Sequence, residues 1–102
     1  MSETAQTSVV ISLVRPVTTP DGQQIKELTL REPNGRDITH QGFPLILSGQ
    51  AEVKVDGPVM SKMIANLSGH LPLVIDMISA ADWNSCCIAV MGFFFKSGST
   101  ST

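Results

Sequence analysis

The chain has no tyrosine, one tryptophan and four phenylalanines in 102 residues. Basic runs are also absent. Arg15, Lys26, Arg31, Arg36, Lys54, Lys62 and Lys96 are scattered, and the net charge is −2. A nucleic-acid surface draws its affinity from clustered Lys and Arg, so no nucleic-acid partner is expected. The longest uncharged apolar run, Cys86 to Phe95, is about half of the ~20 residues that span a bilayer, so no membrane association is expected. Residues 1–8 are polar and do not read as a secretory leader. The two cysteines, Cys86 and Cys87, are adjacent. Neighbours on a helix point ~100° apart and do not meet disulfide geometry. They read as reduced apolar side chains of a cytosolic protein.

No catalytic constellation stands out either. His40 and His70 lie far apart without cysteine ligands nearby, so neither suggests a metal site. There is no nucleophile elbow, phosphate loop or dinucleotide fingerprint. Asp82 reads as part of a helix cap and Asp76 as a solvated charge. Cys86 sits among apolar residues, which disfavours its thiolate. The expectation is a non-enzymatic protein without a cofactor. Charged residues make up only 16% of the chain, below the usual ~25%, which favours partners or self-association.

What is present fits one small α+β domain over residues 9–96, between a flexible segment 1–8 and a flexible tail 97–102. Val9 to Val14 and Ile25 to Arg31 read as strands of a hairpin (9–31), joined by Thr19-Pro20-Asp21-Gly22. A two-residue loop would pair Ile11 with Leu30 and Leu13 with Leu28. A glycine bulge at Gly22 would shift that pairing by one residue. Asn34 or Gly35 could start a short helical turn. Residues 39–56 read as an irregular connection, in which 45–47 and 51–55 are each compatible with a short strand.

A unit of about three helices follows (57–96). Asp56-Gly57-Pro58 opens one helix, with Met60, Met63, Ile64 and Leu67 at helical spacing. Leu71-Pro72 opens a second. Ser79 and Asp82 form an acidic capping-box variant that opens the last. Trp83, Cys87, Val90 and Phe94 recur on one face of that helix. The hairpin is expected to pack on this unit, with a core of Leu28, Leu30, Ile64, Leu67, Trp83, Cys87, Val90 and Phe94. Met60, Met63, Met91, Phe93 and Phe95 are the candidates for contacts with a client or a second copy. Between Gly57 and Phe95 only Lys62, Asp76 and Asp82 are charged, so the helical half is the stickier one.

The wording of the chain carries a further signal. Glu27-Leu28-Thr29-Leu30-Arg31-Glu32-Pro33, Gly35-Arg36-Asp37-Ile38 and Gly42-Phe43-Pro44 come first. Lys62 to Gly69, Leu71-Pro72, Ser79-Ala80-Ala81-Asp82-Trp83-Asn84 and Gly92-Phe93-Phe94 follow in order. From about Val9 to Phe95 this resembles the small phage tail assembly chaperones. The resemblance implies a product of a contractile-tailed phage or prophage that binds the tape-measure protein and keeps it soluble. It implies action in the bacterial host cytoplasm and absence from the mature virion. It also implies a longer frameshifted form of the same protein as a partner, and homo-oligomers. The alternative class is a small structural tail or baseplate component that stays in the particle.

Overall fold

A computed structural model describes residues 8–49 and 52–99. Strand β1 (Ser8–Thr18) pairs antiparallel with β2 (Gln24–Arg31). Helix α1 (Gly35–Gln41) leads to a second antiparallel pair, β3 (Leu45–Leu47) and β4 (Val53–Val55). Helices α2 (Gly57–Ser68), α3 (Pro72–Met77) and α4 (Ala80–Ser99) complete the order. The fold is α+β: an N-terminal hairpin against a helical unit. The expected loose segments 1–8 and 97–102 fall largely outside the described residues, but Ser8 already belongs to β1 and α4 continues to Ser99. The 39–56 connection is more regular than expected, because Leu45 pairs with Val55 and Leu47 with Val53.

The first hairpin turns at Thr19–Gln23. Gly22 donates its N–H to the Thr19 carbonyl at 2.9 Å and takes φ +89°, a conformation that costs glycine little. This is the glycine-bulged turn, and next to it Val17 pairs with Ile25. Further out the register jumps. Ser12 pairs with Glu27, and Ile11 with Leu28. Residues 13–16 therefore lie opposite Lys26 alone in a wide bulge. Pro16 has no N–H to give the ladder. Val14 and Arg15 donate theirs outside the sheet, to the Asp82 carboxylate of α4, at 2.7 and 3.1 Å.

Three of the four helices open on a side-chain cap, and α3 opens on Pro72 without one. Asn34 and Asp37 form a reciprocal capping box on α1 (3.1 and 2.8 Å). Asp56 accepts from the Val59 amide at 3.2 Å, with Pro58 in the first turn of α2, and Gly69 at φ +76° ends that helix. The Ser79 hydroxyl accepts from the Asp82 amide at 3.2 Å and donates to Asp82 Oδ2 at 3.0 Å.

The core joins both halves. Leu28, Leu30, Met60, Met63, Ile64, Ile75, Cys86 and Val90 are fully enclosed, with Leu13, Val17, Ile25, Leu45, Leu67, Val74, Cys87 and Phe93 around them. Two expected surface methionines are corrected here: Met60 and Met63 are both 0% exposed. The reason is the position of α2, which packs against β2, α1, α3 and α4 and leaves no apolar face free. Phe93, also expected outside, is buried at 8%. Trp83 and Phe94, expected in the core, are half-buried.

Candidate interaction surface

The exchange between Phe93 and Phe94 has one cause, the rotation of α4 about its axis. The inward line of α4 is Asp82, Cys86, Val90 and Phe93, with the expected Cys87 buried beside it, while Trp83 and Phe94 turn to its flanks. Asp82 is only 1% exposed and carries three polar partners: the amides of Val14 and Arg15 and the Ser79 hydroxyl. A carboxylate bound to the β1 bulge must point inward. Residues four, eight and eleven positions on then share its direction. Trp83 turns sideways, where its Nε1–H donates to Ser61 Oγ of α2 at 2.8 Å. Phe94 turns to the other side and meets Phe43 edge-to-face, with centroids 5.2 Å apart.

The same rotation fixes what α4 shows to solvent. Ala81, Asn84, Ser85, Ile88, Gly92 and Phe95 are exposed along one outer face, and none is charged. Ile88 is 60% and Phe95 52% exposed, and half-buried Met91 borders them. Of the five expected contact residues, the structure brings only Met91 and Phe95 to this surface. Ile88 stands on the outer face although it is one of the most apolar residues of α4. Its outward position follows once Asp82, Cys86, Val90 and Phe93 are set inward, since it lies roughly 120° or more around the helix from each of them. Phe43, 44% exposed beside Phe94, extends the apolar area, and its sequence context of Gly42 and Pro44 gave no periodic signal.

A second carboxylate organises the other end of the hairpin. Asp37 is buried beneath Arg31, which reaches both its oxygens at 2.8 Å. It also accepts from the Asn34 amide at 2.8 Å and from Asn66 Nδ2 of α2 at 2.7 Å. The Arg31 hydrogen bonds hold the Asp37 carboxyl well below the usual carboxylate range. Burial opposes them, and the Asn34 and Asn66 donors reinforce them. For Asp82, burial pushes the pKa up, but the Val14 and Arg15 amides, the Ser79 hydroxyl and the Arg15 charge together bring it below the ordinary value. Both groups are structural anions at neutral pH.

Burial disfavours the thiolate form of both cysteines. Burial, with the nearby Asp82 charge, pushes Cys86 up to about 11, and burial raises Cys87. An open cleft of about 450 Å³ brings His40, His70 and Lys62 to its wall. Among the described residues no group of three or more His, Cys, Asp or Glu could hold a metal ion. Nor is any described helix long and apolar enough to cross a membrane. The outer face of α4 is an uncharged surface on which two large apolar side chains, Ile88 and Phe95, stand exposed.

Comparison with known proteins gives one match. The family model described as phage tail assembly chaperone proteins, E, or 41 or 14, matches residues 10–94. No curated protein and no solved structure matches the chain.

Proposed function

The chain belongs to the phage tail assembly chaperone proteins, and on that premise we propose that it binds the tape-measure protein of a tailed phage or prophage and keeps it soluble during tail assembly. The observation that carries this reading is the uncharged outer face of α4, with Ile88 and Phe95 exposed and Met91 at its border. A tape measure is a long, largely helical chain that is aggregation-prone before the tail tube forms around it. An apolar helical stripe laid on Ile88 and Phe95 removes both surfaces from water together. Many weak apolar contacts also permit release when tube subunits compete.

This work requires no catalytic group and no cofactor. On this reading it takes place in the host cytoplasm, and the chaperone is missing from the finished particle. A longer product of the same gene arises by ribosomal slippage near Phe93-Phe94-Phe95-Lys96, whose codons can supply a run of identical bases. The nucleotide sequence tests that last point, because codons without such a run exclude the site.

Co-expression tests the main reading. The tape-measure protein is expected in the soluble fraction with this chain and in the pellet without it. Equal solubility in both cases overturns the proposal. Mass spectrometry of purified particles tests the release step: a stoichiometric amount of this chain would mark a retained tail component instead.

A further inference from the structure

Away from α4, two clefts share a wall. The first, of about 450 Å³, lies where the end of α1 meets α2 and the start of α3. His40 and Gln41 reach it from the last turn of α1. Lys62 and Asn66 reach it from α2, where a spacing of four puts them on one face. Gly69, at φ +76°, ends α2 and turns the chain, and the His70 amide then donates back to the Ala65 carbonyl at 3.2 Å. That turn brings His70 to the same cleft. The second cleft, of about 340 Å³, lies between the tip of the first hairpin and α3. Ile25, Leu71, Leu73 and Val74 give it an apolar wall, and His70 lines it as well.

The two linings differ in chemistry. In the first cleft the Lys62 ammonium, two imidazoles and two side-chain amides can all donate hydrogen bonds. Among the described residues no carboxylate lines it. The neighbouring anion, Asp37, is already paired with Arg31 through both oxygens. Asp37 also holds Asn66 in place through one hydrogen of Nδ2, at 2.7 Å, and the second hydrogen of that nitrogen remains. Lys62 is the one Lys or Arg between Gly57 and Phe95, in a chain of net charge −2. A donor-lined cleft around it runs against the charge of the whole. An oxyanion suits this lining, since it accepts several hydrogen bonds and offsets the ammonium.

The second cleft identifies the source of that oxyanion. A free inorganic anion would leave the apolar wall beside it open to water. A polypeptide with a carboxylate next to a large apolar side chain covers both. His70 suits the shared wall, because an imidazole is apolar in its body and polar at its nitrogens. Asp21 lines the apolar cleft from the hairpin tip and repels an anion there, so charge sorts the two ends of the ligand.

We propose that the two clefts form one site for a polypeptide segment in which an acidic residue adjoins an apolar one. The carboxylate lies among His40, Lys62 and His70, and the apolar side chain lies against Leu71, Leu73 and Val74. Among the described residues none of α4 lines either cleft. The site is therefore distinct from the outer face of α4 and does not depend on the tape-measure reading.

Nuclear magnetic resonance titration of the labelled full chain tests this site. The probe is the blocked peptide acetyl-Leu-Glu-Leu-amide, which has an apolar side chain on either side of its carboxylate. It is expected to bind with a dissociation constant of roughly 0.1–1 mM and to shift the amides of residues 40–41, 62–66 and 70–74. The glutamine analogue of the peptide is expected to bind at least about tenfold more weakly. Equal binding of the two peptides overturns the carboxylate cleft. Lys62 is exposed, so Lys62→Gln is expected to leave the rest of the spectrum in place. That variant is expected to lose about tenfold for the acidic peptide and nothing for its analogue. An equal loss for both, or for neither, overturns the pairing of Lys62 with the carboxylate. Inorganic phosphate that binds as tightly as the peptide, without shifts at 71–74, overturns the polypeptide source. Shifts confined to α4 place the peptide on the outer face and overturn this site alone.

Discussion

The two faces of α4 differ in how they are held. The inner face begins with a charge, Asp82, and continues through Cys86, Val90 and Phe93 into the core. The outer face has no charge and stands exposed among the described residues, yet it carries Ile88 and Phe95. A hydrophobic count alone would reverse them, placing Ile88 inward and a carboxylate outward. The contrast teaches that three directed hydrogen bonds to one carboxylate can set the rotation of a helix that is apolar on most sides. The apolar residues left over by that rotation become the exposed surface.

The largest effect is expected from removing the group that sets the rotation. Asp82→Ala leaves the Val14 and Arg15 amides without their acceptor and deletes a charged hydrogen-bond partner. A loss of roughly 2–4 kcal/mol is expected by chemical denaturation. If Asp82→Ala keeps wild-type stability and near-ultraviolet dichroism, the carboxylate does not orient α4.

Asp37→Ala serves as the control at the other end of the hairpin. It removes the partners of Arg31, Asn34 and Asn66, and about 2–3 kcal/mol is expected to be lost. The α4 faces should stay as they are, so exposure of an Ile88→Cys thiol to a labelling reagent should not change. A changed labelling rate would show that the two carboxylates are not independent.

Acid is expected to act on both carboxylates together. Their folded-state pKa values lie below the ordinary aspartate value. Their contribution is complete above the unfolded carboxylate pKa of about 4 and is lost as pH falls toward the folded values. Stability should therefore change little from pH 7 to about 5 and drop below about 4, and the drop should shrink in the Asp37→Ala, Asp82→Ala double variant. An equal acid response in that variant would assign the effect to other groups.

Smaller effects belong to the outer face. Gly92→Ala should stabilise the isolated chain by up to about 1 kcal/mol, because alanine is the better helix former and the site has room. Destabilisation would mean that Gly92 serves the fold after all. Ile88→Asp should shift stability by less than about 1 kcal/mol, since the side chain is already exposed.

Much of the fold was legible. Turn residues marked the first hairpin at Gly22, and Asp56-Gly57-Pro58 and Ser79 marked two helix starts, because these signals are local. The register beyond Ser12 was not legible. It depends on Pro16 and on a carboxylate 68 residues away from Val14, which no local pattern reveals. The candidate surface was legible only in part. Phe95 and Met91 were anticipated, but Met60, Met63 and Phe93 were misplaced. The periodicity of α4 was compatible with several rotations, and only the bond from Asp82 to β1 chooses among them. The burial of α2 on several sides likewise depends on how the elements assemble, not on its own spacing.

The central claim is that the outer face of α4 holds the client. The most direct measurement is the soluble fraction of the tape-measure protein co-expressed with the Ile88→Asp, Phe95→Asp double variant, alongside the denaturation midpoint of that variant. The account predicts an insoluble tape measure beside a chaperone that remains folded with nearly wild-type stability. A tape measure as soluble as with the unaltered chain would contradict it.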